Sequence, residues 1–176
     1  DGEFTPERLM SDCAARKLKL VALTDHNTVE GLPAFLAAAE GKDILAIPGV
    51  EISTGWQGKE LHIVGLFLEP SDFDAVTAFL EIINLRKEEN NRNLIRTLRA
   101  AGYDLTYEAI RQSHPEGSVN RAVIASALLE KGYVSSVKEA FQTLLSSKNG
   151  FYIPPERIPA REAIAFLSSI HAVSVL

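Results

Sequence analysis

The sequence predicts an α/β fold that is interrupted by a helical insertion, and three observations support this. Up to about residue 68, helical segments alternate with short apolar runs, which favours a parallel α/β sheet or barrel. Residues 71–150 contain no convincing strand pattern and indicate successive helices. Beyond Pro159, a helical segment and a final apolar run resume the first pattern. We therefore expect one α/β domain with a mainly helical domain inserted in it.

The first elements are marked by capping residues and apolar runs. Thr5-Pro6-Glu7 is typical of a helix start, with Thr as the N-cap and Pro at the first helical position. Residues 20–24 then form a short apolar run that predicts a buried strand. Thr28 is expected to cap a second helix that ends near Gly41.

Three further extended segments follow the second helix. We expect strands at residues 44–47 and 50–53, with an interruption at Pro48-Gly49 between them. A hairpin-like connection at Gly55 and Gly58 leads to the third segment, residues 61–67.

The remaining chain is predicted to be helical until its last residues. The expected helices cover residues 71–101, a segment after Thr106, residues 119–131, a segment opened by the capping-box sequence Ser136-Val137-Lys138-Glu139, and residues 160–170, and residues 173–176 resume a strand. Gly102 and Gly132 are expected to end two of these helices. The domain prediction is therefore residues 1–70 and 156–176 for the α/β domain and residues 71–155 for the insertion.

Composition limits the classes of partner. The net charge of −5 argues against nucleic-acid or membrane binding driven by charge alone, although a bound metal ion would still allow a phosphate-bearing substrate. No apolar stretch is long enough to cross a bilayer, no signal-peptide pattern opens the chain, and the single Cys13 fits a reducing compartment. We expect a cytoplasmic protein with no membrane partner.

Ionisable residues recur beside the predicted strands. Asp1 precedes the first helix, His26 follows the first strand, and Glu51 and His62 lie in later extended segments. Each residue alone also fits a helix cap, a surface charge or a hydrogen-bonded histidine. Together they fit a divalent metal centre for phosphoester hydrolysis, because ends of parallel strands converge and imidazole with carboxylate suits Zn, Mn or Fe.

Four segments carry a resemblance to a known family. "DGEFTPERLMSDCAARKLKLVALTDHNTVEGL", "IPGVEIST", "LHIVGLFLE" and "GFYIPPERIP" resemble the metal-dependent phosphoesterase branch of the PHP (polymerase and histidinol phosphatase) superfamily. The resemblance implies a distorted (β/α)7 barrel with up to three divalent metal ions, interrupted by a small helical domain.

The resemblance also implies roles for the candidate metal ligands. Asp1 and His26 match ligands of the third metal, Glu51 matches the carboxylate that bridges the first two, and His62 matches a ligand of the second. Asp25 is then expected to orient His26 or to cap the following helix. No catalytic residue beyond these ligands is assigned.

Two cations of the insertion match substrate-binding positions of the branch. Arg121 matches an arginine that grips substrate phosphate, a task that suits its planar fork, and Lys148 matches a loop lysine near that phosphate. The alternative for both is an exposed charge. The histidine that members often carry at the position of Val123 is absent, and His114 and His171 match no ligand position.

Ligand motifs of the family are missing at both ends. Its His-x-His would precede Asp1, its Ala-His-Pro would follow Leu176, and its late Asp-x-His is absent, so the chain is expected to be a fragment that binds at most one or two metals by itself. The predicted function is hydrolysis of small phosphorylated substrates, such as nucleotides or oligonucleotide ends. The alternatives are a non-catalytic PHP-like module that binds metal or a partner, and a helical interaction module.

Overall fold

A computed structural model of the protein describes residues 4–114, 119–148 and 150–176. The chain forms two compact units. The sheet unit contains the described residues up to Ile83 together with Arg157–Leu176, and the helical unit contains the described residues of Asn84–Glu156. The boundaries expected for an inserted domain, residues 71–155, stay a prediction.

Within the residues that the structure describes, the sheet unit contains both helices and strands, and the helical unit contains helices alone. In chain order the elements are α1 (Pro6–Ala15), β1 (Leu20–Leu23), α2 (Leu32–Ala39), β2 (Leu45–Trp56), β3 (Lys59–Leu66), α3 (Phe73–Ala100), α4 (Tyr107–Ser113), α5 (Arg121–Glu130), α6 (Val137–Gln142), α7 (Ala160–Ser169) and β4 (Val173–Val175). A short 3-10 helix, Pro70–Asp72, precedes α3.

The four strands form one mixed sheet in the order β1-β2-β3-β4. Only β1 and β2 are parallel, because β2 and β3 form a hairpin and β4 returns antiparallel to β3. The α/β class is therefore confirmed, the hairpin-like connection expected near Gly58 is present, and the parallel pairing favoured by the alternation holds only for β1 and β2 among these four strands. The two turn residues of the hairpin, Gln57 and Gly58, both have positive φ, as a tight two-residue connection requires.

Strand β2 is continuous through Pro48-Gly49, where the sequence predicted an interruption. Pro48 pairs with Leu23 at the last position of β1, and its carbonyl accepts a hydrogen bond from the Leu68 N–H, a contact that needs no N–H on Pro48. Gly49 is required by close packing, because a Cβ there would lie 2.7 Å from the carbonyl oxygen of Gly65.

One face of the β2–β3 hairpin is buried against helices. Val50, Ile52 and Ile63 belong to a core cluster with residues of α7 and with the first turns of α3. Gly65 lies on this face beside Leu167 of α7, and a Cβ at this glycine would come within 2.5 Å of Leu167. Since side chains alternate along a strand, the residues between these core positions point to the opposite face.

The helical unit has its own core, and its helix ends follow the sequence prediction closely. Thr106 and Ser136 cap α4 and α6 with their side-chain oxygens, and Gly102 and Gly132 follow α3 and α5 with positive φ. The capping box at α6 is modified, because the Glu139 carboxylate accepts from Ser135 rather than from Ser136. That hydrogen bonding lowers the pKa of Glu139.

Two other expectations are tested by the helices. Thr5 caps α1 as predicted, accepting a hydrogen bond from the Arg8 N–H. Thr28 does not cap α2, because this helix begins at Leu32 after Gly31, and the Thr28 hydroxyl accepts from the Glu30 N–H within the preceding loop. None of the described helices combines the length and the apolar character needed to cross a membrane.

Candidate metal centre

Three of the four predicted metal ligands meet in the sheet unit. His62 Nδ1 lies 2.5 Å and His26 Nε2 lies 3.2 Å from the same oxygen, Oε1 of Glu51. The two imidazole rings stand edge to face with centroids 5.0 Å apart. One ligand atom from each residue lies within 4.8 Å of the other two. We call these three residues the His/Glu/His cluster.

Glu51 and His62 meet because of the hairpin register. Glu51 pairs with Val64, and His62 pairs with Ser53, two residues further along β2. Glu51 and His62 are therefore diagonal neighbours on the face opposite the core, a distance that long side chains span. They lie within the strands and not at the strand ends, so they meet for a different reason from the convergence of strand ends that the sequence suggested. Their role as metal ligands stays a prediction.

His26 is brought to the cluster by an extension of the β1–β2 ladder. Beyond the last residue of β1, the Glu51 N–H donates to the Asp25 carbonyl at 3.0 Å, and the Asn27 N–H donates to the Glu51 carbonyl at 2.9 Å. These two bonds place His26 beside Glu51 as a parallel bridge. The Asp25 backbone thus helps to place His26. Asp25 does not cap α2, because it precedes that helix by several residues.

Asn27 holds the loop after β1 in place through hydrogen bonds to β2. The sequence did not single out this residue. It is 2% exposed and has a positive φ of 54°, which Asn tolerates better than most residues. Its amide donates to the Ser53 hydroxyl and its carbonyl oxygen accepts from the Ser53 N–H, both at 2.9 Å. Asn immediately after a strand-end His was the available signal, because Asn and Asp are enriched in the left-handed region.

The cluster is open enough for an ion to enter. The side chains of His26, Glu51 and His62 are 40%, 24% and 32% exposed. His26 and Glu51 also line a cleft of about 780 Å³, together with apolar residues that include Phe4 and Leu23. Two imidazoles and one carboxylate are the donor set that Zn, Mn or Fe accepts, so the cluster fits a divalent metal.

A second carboxylate approaches His62 from the side away from Glu51. Glu60 Oε1 lies 3.4 Å from His62 Nε2, and Glu60 Oε2 accepts a hydrogen bond from Arg157 at 2.9 Å. Burial alone would raise the pKa of Glu60, but the Arg157 charge and the contacts with His62 outweigh burial, so the pKa is lowered. Glu60 therefore stays ionised beside His62.

The other predicted site residues either belong to the helical unit or lie outside the described residues. Asp1 lies outside the described residues. Arg121 and Lys148 belong to the helical unit, so their proximity to the cluster stays a prediction. Lys148 is exposed in a turn, where its N–H donates to the Ser146 hydroxyl at 3.1 Å.

Arg121 is held by aromatic rings at the first position of α5. Its guanidinium carbon lies 4.0 Å from the ring centroid of Tyr152 and 5.6 Å from that of Phe141. Among the described residues, no carboxylate lies within ion-pair distance of Arg121. Aromatic stacking orients a guanidinium without neutralising its charge, so Arg121 keeps its capacity to bind an anion.

Two adjacent asparagines of α3 support the segments beside Arg121 and were also missed. Asn91 is buried, and its amide donates to the Val119 carbonyl at 2.9 Å, just before α5 begins. The Asn90 amide donates to the Ile153 carbonyl at 2.6 Å, next to Tyr152. Nothing local in the sequence distinguishes these asparagines from exposed helix residues, because their partners lie far along the chain.

Comparison with known proteins identifies the family. The model of the PHP domain matches residues 1–154, and the chain belongs to the PHP domain family. It is 29% identical to a 3′,5′-nucleoside bisphosphate phosphatase of Chromobacterium violaceum over 100% of this chain and 62% of that protein. It is 31% identical to the 5′-3′ exoribonuclease Rnm of Salmonella typhimurium over 93% of this chain and 56% of that protein.

A solved structure shows the same fold. The chain matches the structure of an amidohydrolase from Chromobacterium violaceum, with bound sulfate and no metal, at a TM-score of 0.85 and 28% identity. The match covers 100% of this chain and 62% of that one. The chain therefore spans a little over half to three-fifths of the lengths of these proteins.

Proposed function

We propose that the protein is a metal-dependent phosphoesterase that hydrolyses small phosphorylated substrates, with nucleotides and oligonucleotide ends as the favoured class. The observation that carries the proposal is the His/Glu/His cluster in a chain of the PHP domain family. Relatives named as a nucleoside bisphosphate phosphatase and an exoribonuclease support the substrate class and favour an enzyme over a non-catalytic module. The cytoplasmic location stays a prediction.

His26, Glu51 and His62 would hold the metal, with Asp1 as a further ligand. Mn, Zn and Fe are the candidates, and up to three ions are proposed for the intact site. A bound divalent ion supplies an activated water molecule and an electrophile for a phosphoryl oxygen. Both histidines face one Glu51 oxygen, and the other oxygen of this carboxylate would be the donor to a second cation. That arrangement suits the bridging role proposed for Glu51.

Arg121 and Lys148 are proposed to bind the substrate phosphate. A guanidinium donates two parallel hydrogen bonds to phosphate oxygens and stabilises the charge that develops during hydrolysis. The stacking on Tyr152 supports this role because it restricts the fork before substrate arrives. For the fold, we propose that residues 1–70 and 156–176 are part of a distorted (β/α)7 barrel and that residues 71–155 are its insertion.

Hydrolysis assays on the full-length protein test the proposed function. With Mn²⁺ or Zn²⁺ added, we expect phosphate release from a nucleoside 3′,5′-bisphosphate or shortening of a 5′-phosphorylated oligoribonucleotide, and loss of both activities with a chelator. No metal-dependent release from either substrate would contradict the proposal.

Replacing Arg121 tests the phosphate contact separately. We expect Arg121→Ala to lower kcat/KM by about 10- to 150-fold, which corresponds to about 1.5–3 kcal/mol for a lost charged hydrogen bond. Arg121→Lys should recover only part of this loss, because an ammonium group cannot bind phosphate with a planar fork. Arg96→Ala removes another arginine of the helical unit, whose side chain is 70% exposed, and serves as the control. Equal kcat/KM values for Arg121→Ala and this control would show that Arg121 does not bind the substrate phosphate.

A further inference from the structure

His62 contacts a carboxylate at each of its two ring nitrogens. Nδ1 faces Glu51 within the His/Glu/His cluster, whereas Nε2 faces Glu60. Glu60 and His62 are two residues apart on β3, so both side chains project from the same face of the sheet. Glu60 thus approaches the histidine from outside the cluster.

Arg157 holds Glu60, and the fold provides a specific place for this arginine. Gly55 pairs with Glu60 across the hairpin, and the Gly55 N–H donates to the Ile158 carbonyl at 2.9 Å. A Cβ at Gly55 would lie 3.1 Å from Cβ of Arg157, so the absent side chain lets the arginine stem cross β2. Arg157 is only 19% exposed, and its guanidinium reaches the second oxygen of Glu60. The segment after Glu156 is therefore anchored beside the hairpin through both backbone and side chain.

We propose that Arg157 and Glu60 form a positioning pair that orients His62 for metal binding. This inference rests on the metal centre of the proposed function. With a metal ion held by Nδ1, Glu60 would accept the Nε2 proton of His62 across their 3.4 Å contact, which would fix the ring orientation. A metal-binding histidine commonly donates its other ring N–H to a carboxylate, and such partners affect metal affinity about 10- to 100-fold. Arg157 restricts Glu60 to the rotamer that faces the histidine.

Arg157 distinguishes positioning from a simple effect of charge. If only charge mattered, loss of the Glu60 carboxylate would weaken cation binding, whereas loss of the Arg157 cation would strengthen it. If the pair positions His62, both losses weaken binding. Whether loss of Arg157 weakens or strengthens metal binding therefore decides between positioning of His62 and a simple charge effect.

Equilibrium metal titration of the full-length protein measures this change in metal affinity and does not require enzymatic activity. With Zn²⁺ against a competing chelator, we expect Glu60→Ala and Arg157→Ala each to weaken binding about tenfold or more. Arg157→Lys should restore part of the affinity, because a lysine still donates to Glu60. The control is Lys131→Ala, which breaks an ion pair with Asp104 in the helical unit and should leave the affinity unchanged.

A spectroscopic readout separates ring orientation from general loosening of the fold. In zinc-loaded wild-type protein, nitrogen-15 NMR of His62 should show zinc on Nδ1 and the proton on Nε2. At the same zinc concentration, Glu60→Ala should show a fraction of His62 that is not ligated and is no longer held in this single tautomer. Unchanged or tighter binding in Arg157→Ala, or a proton on Nδ1 in the zinc-loaded wild type, would overturn the inference while leaving the proposed function intact. Absence of zinc binding in the wild type would refute the metal centre and this inference with it.

Discussion

Glu51→Gln is expected to abolish tight divalent metal binding and, with it, phosphoester hydrolysis. Both histidines of the cluster approach one oxygen of this side chain, so Glu51 brings a single charged atom to each imidazole. Glutamine has nearly the same shape but carries no charge, and hard or borderline cations prefer carboxylate oxygens. We expect metal affinity to fall by more than about 100-fold, beyond the loss typical for residues that only support a ligand.

Isothermal titration with Mn²⁺ and Zn²⁺ measures the loss, and thermal unfolding of the metal-free proteins checks the fold. Glu40→Gln removes an exposed carboxylate at the end of α2 and should bind metal like the wild type. Because Glu51 is partly exposed and lies on the face away from the core, the metal-free Glu51→Gln protein should unfold at a similar temperature. Metal affinity within a few-fold of the wild-type value in Glu51→Gln would remove this residue from the metal centre.

Asn27→Ala is expected to cost about 2–4 kcal/mol of the free energy of unfolding. The substitution removes two hydrogen bonds to Ser53 at a site that is 2% exposed, and leaves the buried Ser53 N–H without this acceptor. Alanine is also strained at a φ of 54° by about 1 kcal/mol or more. Since the same loop carries His26, metal affinity should fall together with stability.

Two related variants divide this cost into its parts, with urea unfolding as the measurement. Asn27→Gly should recover the strain, about 1 kcal/mol, but not the hydrogen bonds. Ser53→Ala keeps its backbone N–H bonded to the Asn27 carbonyl oxygen and should cost less than Asn27→Ala. If Asn27→Ala unfolds within about 0.5 kcal/mol of the wild type, the loop is not held by this contact.

Helix ends were predictable from the sequence because capping is local. Thr5, Thr106 and Ser136 each bond to a backbone N–H three residues ahead, and the glycines after α3 and α5 adopt positive φ as expected. The direction of β4 was not predictable in this way, because it depends on pairing with a strand that is distant along the chain. The tight turn at Gln57-Gly58 makes β3 antiparallel to β2, in keeping with the hairpin-like connection that the sequence indicated at Gly55 and Gly58.

The same contrast holds for the site, where residue types could be read from the sequence but contacts between distant residues could not. His26, Glu51 and His62 were predicted from residue type and family resemblance, but their meeting depends on a diagonal register within a hairpin and on a parallel bridge beyond β1. The pair formed by Glu60 and Arg157 joins residues 97 positions apart, so neither stood out in the sequence. Asn27 did not stand out for another reason. An Asn after a strand fits an ordinary loop as well as a buried position that is held by hydrogen bonds.

Anomalous diffraction from crystals of the full-length protein grown with Mn²⁺ or Zn²⁺ tests the metal centre most directly. Data collected on both sides of the metal absorption edge should give a peak within coordination distance of a Glu51 carboxylate oxygen and of one ring nitrogen each from His26 and His62, about 2.0–2.2 Å for zinc. A metal peak that none of these three residues contacts, or no peak beside Glu51 at saturating metal, would contradict the assignment of the His/Glu/His cluster as the metal centre.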